Sequence, residues 1–396
     1  MRRTLLLIAL SIGLASCGAD RYRFEVSAPD DRDMVNEMVE FSLDQVEGVD
    51  DFAQRVLYDS HHNEIPSQIT YDGKLIFQVN IEAGERENFT LRKGYSSDYA
   101  TIACGDFYPK KMDNVSWDVA WENDKIGFRT YSTYYSKTGK KLYGYDIFSK
   151  RGNEPVLKEL YALQTDPKII ADIARYKKED PEQSVELSRR RSYHLDHGKG
   201  MDYYTVGPTL GCGTAALIVD GVTHYPTYFS NYEFLDNGPL RVTFKLEYDA
   251  VVMGGESVVE ERIITLDAGT HFNKVEVRYR GLTKPAKAII GLVLHDAARE
   301  YEITPNSIAY VDPMTSSGWQ IYNGVLFDES MTGVVDLFDE EEKKAHGGAY
   351  GHIQAETTYT PNITLTYYMG AGWNGWGVAN PEVWFDIVKS ENARLF

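Results

Sequence analysis

Arg241-Val242-Thr243-Phe244-Lys245-Leu246-Glu247-Tyr248 alternates polar and apolar residues without a break. Successive side chains of an extended chain point to opposite faces, so Val242, Phe244, Leu246 and Tyr248 share a buried face while Arg241, Thr243, Lys245 and Glu247 meet water or a polar neighbour. That is the pattern of half-buried antiparallel sheet. Val39, Phe41 and Leu43 repeat it, as do Leu75, Phe77, Val79 and Ile81, then Val275, Val277 and Tyr279, and finally Ile363, Leu365 and Tyr367. The chain therefore reads as all-β. One stretch predicts a helix: Asp166 can cap, Pro167 suits the first turn, Ile169, Ile170, Ile173 and Tyr176 fall on one face, Lys177 and Lys178 suit the C-terminal end, and Pro181 stops it. The charged residues 340–344 fit a short helix or a solvated loop, with the loop favoured.

Composition shifts supply no linker, so the organisation follows from pattern. Short strands with turns such as Tyr71-Asp72-Gly73 predict a small N-terminal β-sandwich over 18–97, with the boundary near 94–98. The longer alternating strands beyond it predict a larger antiparallel supersandwich over 98–396, carrying one or two short helices.

Residues 1–17 have their own logic. Arg2 and Arg3, an apolar run over 5–14 and Leu14-Ala15-Ser16-Cys17 form an export signal too short to span a bilayer. A Cys directly after Leu-Ala-Ser resembles the bacterial lipobox, which predicts acylation of Cys17 and a lipid anchor in the cell envelope, periplasmic or at the cell surface; the alternative is an ordinary cleaved signal. Cys104 and Cys212 remain, as one disulfide or as two buried thiols. The formal charge of -18 argues against nucleic acid and anionic membrane surfaces as partners, and requires any site for an acidic ligand to carry its own positive charge. With 28 tyrosines and 6 tryptophans the chain has aromatic rings for sugar stacking or for filling sheet faces.

Two segments concentrate chemistry. Tyr193-His194-Leu195-Asp196-His197-Gly198-Lys199-Gly200-Met201-Asp202-Tyr203-Tyr204 sets imidazoles, carboxylates, an ammonium and phenols between glycines that let the backbone bend, just after Arg189, Arg190 and Arg191. His194 or His197 can serve as base or acid, Tyr203 or Tyr204 can take the complementary step, and Arg191 or Lys199 can neutralise a carboxylate. His194, Asp196, His197 and Asp202 are equally candidate ligands of a divalent metal, at a spacing that matches no standard motif, and the plainer alternative is a polar surface loop. In the second segment, Trp117 and Trp121 offer rings to a pyranose, Asp118, Glu122 and Asp124 offer carboxylates, and Arg129 can clamp an acid; the alternative is a polar turn entering a buried strand. Trp373 and Trp376 in a glycine-rich loop, and His295 with Asp296 at a strand end, add candidate substrate contacts. Gly211-Cys212-Gly213-Thr214-Ala215-Ala216 matches a dinucleotide-binding glycine pattern in form only, because a strand and turn follow it where a helix is needed.

Trp121-Glu122-Asn123-Asp124 through Arg129, the run 193–210 ending Val206-Gly207-Pro208-Thr209-Leu210-Gly211, Leu235-Asp236-Asn237-Gly238-Pro239-Leu240-Arg241, Ile264-Thr265-Leu266-Asp267-Ala268-Gly269 and Glu64-Ile65-Pro66-Ser67-Gln68 together resemble a bacterial lipoprotein family, domain-of-unknown-function family 4861. The resemblance covers essentially the whole mature chain. It implies a galactose-mutarotase-type supersandwich, encoded beside enzymes that dismantle pectin-like or other uronate-containing polysaccharides, and it transfers no catalytic residues.

The resulting expectation is a protein acting on uronate-containing glycan. As a lyase it would use His194 or His197 as base, with Arg129, Arg191 or Lys199 stabilising the enolate. As a glycoside hydrolase it would use Glu122 with Asp118 or Asp196. The alternatives are a non-catalytic glycan-binding lipoprotein and, by fold analogy, a sugar epimerase or mutarotase. The catalytic versions need 117–131 and 193–204 to meet around one hollow.

Overall fold

The computed structural model describes residues 21–43, 54–108, 118–297, 299–328 and 330–395. Cys17 and Trp117 lie outside the described residues.

Arg241–Tyr248 is a strand, and Val242, Phe244, Leu246 and Tyr248 are buried as the alternation requires. It sits second in a nine-stranded sheet ordered Phe229–Asn237, Arg241–Tyr248, Glu256–Asp267, Phe272–Arg280, Leu365–Trp373, Ile321–Leu326, Ser307–Val311, Glu300–Thr304, with Val251–Met253 paired at the side. A five-stranded sheet runs Val222–His224, Cys212–Val219, Ala286–Leu294, Gly351–Tyr359, Thr332–Leu337. Phe244, Val275, Val277, Tyr367 and Met369 of the first interdigitate with Ala215, Leu217, Ile290, Leu292 and Ile353 of the second in one continuous core. The chain is a β-rich antiparallel supersandwich. Gly211–Ala216, the dinucleotide-like sequence, contributes to a strand that turns at Asp220-Gly221, as its apolar continuation predicts.

Near the N-terminus, Arg21–Ser27, Arg86–Lys93, Arg55–Tyr58 and Glu64–Ile65 form one sheet, and Met34–Ser42, Lys74–Ile81 and Ser67–Ile69 another. Phe24, Phe41, Phe77 and Phe89 fill the space between, with the Phe77 and Phe89 ring centroids 5.0 Å apart. A polar seam joins this part to the large sheet. The Gln68 side chain accepts from the amides of Leu240 and Arg241, each at 2.8 Å, and donates to the Arg241 carbonyl at 3.1 Å.

A third sheet runs Gly200–Met201, Asp146–Lys150, Gly127–Tyr131, Asp118–Glu122, Cys104–Tyr108; its first four strands are buried on both faces and its last is partly buried. One face sends Val119, Trp121, Phe128 and Ile147 into the main core, and the other packs Ala120 and Phe148 against a helix.

Among the described residues there are five α-helices: α1 Leu157–Gln164, α2 Pro167–Glu179, α3 Pro181–Arg191, α4 Glu340–Ala345 and α5 Pro381–Leu395. That is more helix than the sequence suggests. α2 begins as predicted, with Asp166 accepting from the amides of Lys168 and Ile169. Pro181 does stop α2, but it also opens α3, whose polar sequence has no apolar stripe to announce it. The segment expected as a loop at 340–344 is α4, because Asp339 and Glu342 close a capping box that supports this short helix without buried residues. In α5, Trp384 stacks on Phe272 at 5.6 Å and donates to the Asn323 carbonyl at 3.0 Å, so an apolar sequence that could be a strand is held as a helix over the sheet. Cys104 and Cys212 are both free thiols; burial pushes the Cys104 thiol up to about 12.

Candidate functional site

The third sheet builds the site from its pairing register. Arg129 lies opposite Ala120 on one side and Asp146 on the other, and Tyr131 lies opposite Asp118. Period two then puts Asp118, Glu122, Arg129, Tyr131 and Asp146 on the face that α1 covers. Arg129 Nε donates to Asp146 Oδ2 at 2.9 Å, its Nη2 donates to Asp146 and, at 2.6 Å, to Asp202 Oδ2, and its Nη1 reaches the Tyr193 hydroxyl at 3.2 Å. Tyr131 donates to Asp146, and Tyr161 of α1 donates to Asp118 Oδ2 at 3.1 Å. Asp202 arrives from the predicted loop because Gly200 and Met201 pair with Lys150 and Ser149. Gly200 adopts a φ of +103°, and a Cβ there would meet the Ser149 carbonyl oxygen at 2.0 Å, so this approach requires glycine.

The two predicted segments therefore do meet, but their meeting place is a packed interior. Arg129, Asp118, Asp146 and Asp202 are all buried. One guanidinium faces three carboxylates in a low-dielectric setting. Burial lifts the Asp118 carboxyl to about 7 and the Asp202 carboxyl to about 6, each opposed by Arg129. Arg129 is spent on these partners and cannot clamp a substrate carboxylate.

The loop reaches solvent at His194. Its Nδ1 lies 2.9 Å from the Asp202 carbonyl, which can only accept, so Nδ1 carries the proton. The Asp202 carboxylate stands 3.5 Å from the same nitrogen, and the side chain is 58% exposed. In the neutral ring the lone pair is then on Nε2. Beside it, α2 and α3 border a groove of about 540 Å³ that His194, Leu195, Val185, Lys177 and Arg189 help to line, with no carboxylate among its lining residues. His197 turns away and its Nε2 donates to the Arg189 carbonyl at 3.0 Å.

Several expected roles are corrected. Trp121 and Trp373 are fully enclosed, their indoles donating to Asn273 Oδ1 at 2.7 Å and to the Lys150 carbonyl at 2.8 Å, so neither can stack on a sugar; Trp376, 38% exposed, can. Glu122 is no accessible acid. It accepts from the amides of Val156 and Leu157 at 2.8–2.9 Å, capping α1 from another strand, and pairs with the wholly buried Lys150 at 3.1 Å. Asp118 is sealed beneath Tyr161, which removes the hydrolase pair. Lys199 pairs with Glu159, and Arg191 donates to the Gln164 carbonyl, so neither is held towards a ligand. Tyr204 is buried against the His295 ring at 5.3 Å, and Tyr203 lies 6.3 Å from the Trp373 ring. Burial raises both phenols' pKa. His295 bonds Asp312 Oδ1 through Nδ1 at 2.8 Å and donates from Nε2 to the Thr205 carbonyl at 2.7 Å. Burial alone would lower its pKa, but Asp312 leaves it raised, and an imidazolium fixed at both nitrogens has no lone pair to act as base.

The proposed metal set does not assemble: His197 is engaged with Arg189, and Asp196 accepts from Arg151 Nε at 2.9 Å and from the amides of Gly198 and Gly200 at 2.8 and 3.0 Å. Among the described residues, the acidic–histidine group that could hold an ion is Asp59, His61 and Glu87 in the N-terminal sheets, its ligand atoms within 4.8 Å of one another. Sequence reasoning missed Asp146, Arg151 and Trp319, each of which matters only through a distant partner.

Fold and site together define a β-rich supersandwich with a groove, bordered by Lys177 and Arg189, beside a histidine loop. The chain belongs to the family described as Domain of unknown function (DUF4861), whose pattern matches residues 26–396. It is 26% identical over 319 residues, 76% of this chain and 70% of the relative, to "Uncharacterized protein P7" of Formosa agariphila. Among solved structures it is similar to a protein in the glycosyl hydrolase family 38 from Enterococcus faecalis, with a TM-score of 0.43 and 7% identity over 94% of this chain and 47% of that one. An alpha-mannosidase from Enterococcus faecalis V583 gives a TM-score of 0.41 and 8% identity over 94% and 45%. The chain spans about half the length of those two structures, and the likeness is one of backbone course alone.

Proposed function

We propose that this protein is an exported, lipid-anchored enzyme that cleaves uronate-containing oligosaccharide by β-elimination in the groove beside His194. The observation that carries the reading is the His194 tautomer: Nδ1 is fixed by the Asp202 carbonyl at 2.9 Å, which in the neutral ring leaves Nε2 to act as the base on a side chain that is 58% exposed. Lys177 and Arg189 give the groove positive charge in a chain whose net charge is -18, which suits an anionic sugar. His194 takes the proton from the carbon beside the uronate carboxylate, and those electrons form the new double bond as the glycosidic carbon–oxygen bond breaks. The imidazolium returns its proton to the departing oxygen, so the histidine is regenerated. Arg189 and Lys177 stabilise the enolate formed on the way.

The test is ultraviolet absorbance of the conjugated product during incubation with a panel of acidic oligosaccharides. We expect His194→Ala to lower turnover by roughly 10²–10⁴-fold with the melting temperature unchanged. No absorbance from any acidic glycan, or activity that survives the substitution, overturns the reading, and binding without turnover would mark a non-catalytic glycan-binding protein. The address rests on Leu14-Ala15-Ser16-Cys17. Metabolic labelling with a radioactive fatty acid should mark the chain and fail in Cys17→Ala; equal labelling of both refutes the anchor.

A further inference from the structure

Arg151 follows the strand Asp146–Lys150 and sits over a pair of tilted indoles, its guanidinium carbon 4.9 Å from the ring centroids of both Trp319 and Trp373. Its Nε donates to Asp196 Oδ2 at 2.9 Å and its Nη1 to the Gly375 carbonyl at 2.6 Å, while Nη2 has no partner among the described residues. Trp373 is enclosed, whereas Trp319 is partly exposed and packs on it at 5.3 Å. The loop that carries Trp319 is held rigidly: Trp319 N donates to Thr315 Oγ1 at 2.9 Å, and Gln320 N donates to Asn374 Oδ1 at 2.9 Å. Asn374 belongs to the turn that carries Trp376, so that ring is on the neighbouring loop.

We propose that Trp319, Arg151 and Asp196 form a subsite for a neutral pyranose. The exposed part of the Trp319 indole offers an apolar surface for the ring's C–H groups, and Arg151, anchored by the Asp196 carboxylate, offers Nη2 as a donor to a hydroxyl at the ring's edge. Arg151 and Asp196 cancel each other's charge, which favours a neutral ring here over a uronate. Asp196 shares its loop with His194, so this subsite deepens the elimination reading, on which it rests: the substrate is a mixed glycan in which a uronate is linked to a neutral sugar.

The test titrates the full chain, purified in detergent, with three probes: a galacturonate homo-oligomer, an oligosaccharide alternating galacturonate with rhamnose, and a neutral galacto-oligosaccharide. Trp319→Ala should weaken the mixed and neutral probes at least about tenfold and the homo-oligomer less than about threefold. Trp319→Phe should fall between. The affinity ratio between probes, measured on one preparation, is insensitive to a general loss of folding. An unchanged ratio, or no binding of the neutral and mixed probes to the wild type, overturns the subsite. Formation of the ultraviolet-absorbing product with that ratio unchanged sinks the subsite alone, whereas the expected ratio without any such product sinks the elimination alone and leaves the subsite standing.

Discussion

Arg129 donates to the Asp202 carboxylate across 2.6 Å, joining a buried strand to a loop 73 residues further along the chain. That bond is where the two chemistry-bearing segments meet. It fixes the backbone whose carbonyl selects the His194 tautomer, so the buried ion cluster acts on the groove by positioning.

The cluster makes stability depend on pH in a predictable direction. Burial raises the Asp118 carboxyl from its ordinary value of 3.8 to about 7 in the folded state, so between those values the native chain holds a proton that the unfolded chain has lost. Stability from this group is present below pH 4 and declines as pH rises towards 7. Asp118→Asn removes the titration. The variant should match the wild type in melting temperature near pH 4 and exceed it near pH 8, by an amount on the order of a few kcal/mol. A constant difference across that range would refute the assignment.

Glu122 is argued to be structural, and its loss leaves the enclosed Lys150 ammonium without its carboxylate and α1 without its outside cap. Glu122→Ala should destabilise by about 3–5 kcal/mol, and adding Lys150→Met should recover part of the loss. Thermal melts of the single and double variants measure it. If Glu122→Ala melts with the wild type, the ion pair does not hold the helix.

Trp373 and Trp376 are three residues apart and should behave oppositely. Trp373→Ala opens a cavity in the main core and should cost about 3–5 kcal/mol. Trp376→Ala, at a partly exposed position, should cost about 1 kcal/mol or less. Equal losses in denaturant titrations would contradict the enclosed and exposed positions of the two rings.

Legibility in the sequence followed the range of the interaction. Alternation in 241–248 announces both the strand and its buried face, and Asp166 with Pro167 announces the start of α2, because each signal acts within a few residues. α3 was hidden because its polar composition carries no periodic face, whereas at α4 a short helix was one of two readings and the local capping box of Asp339 and Glu342 decides for it.

For the site, period two by itself determined that Asp118 and Glu122 share a face, and the residue types determined that His194, Asp196 and Asp202 cluster in one segment punctuated by glycines. What covers the face, α1 laid across it with Tyr161 and two amides aimed at the carboxylates, only the tertiary structure decided. A strand pattern tells which side chains travel together; whether they meet solvent or another element depends on packing between residues dozens of positions apart, which no local spacing records.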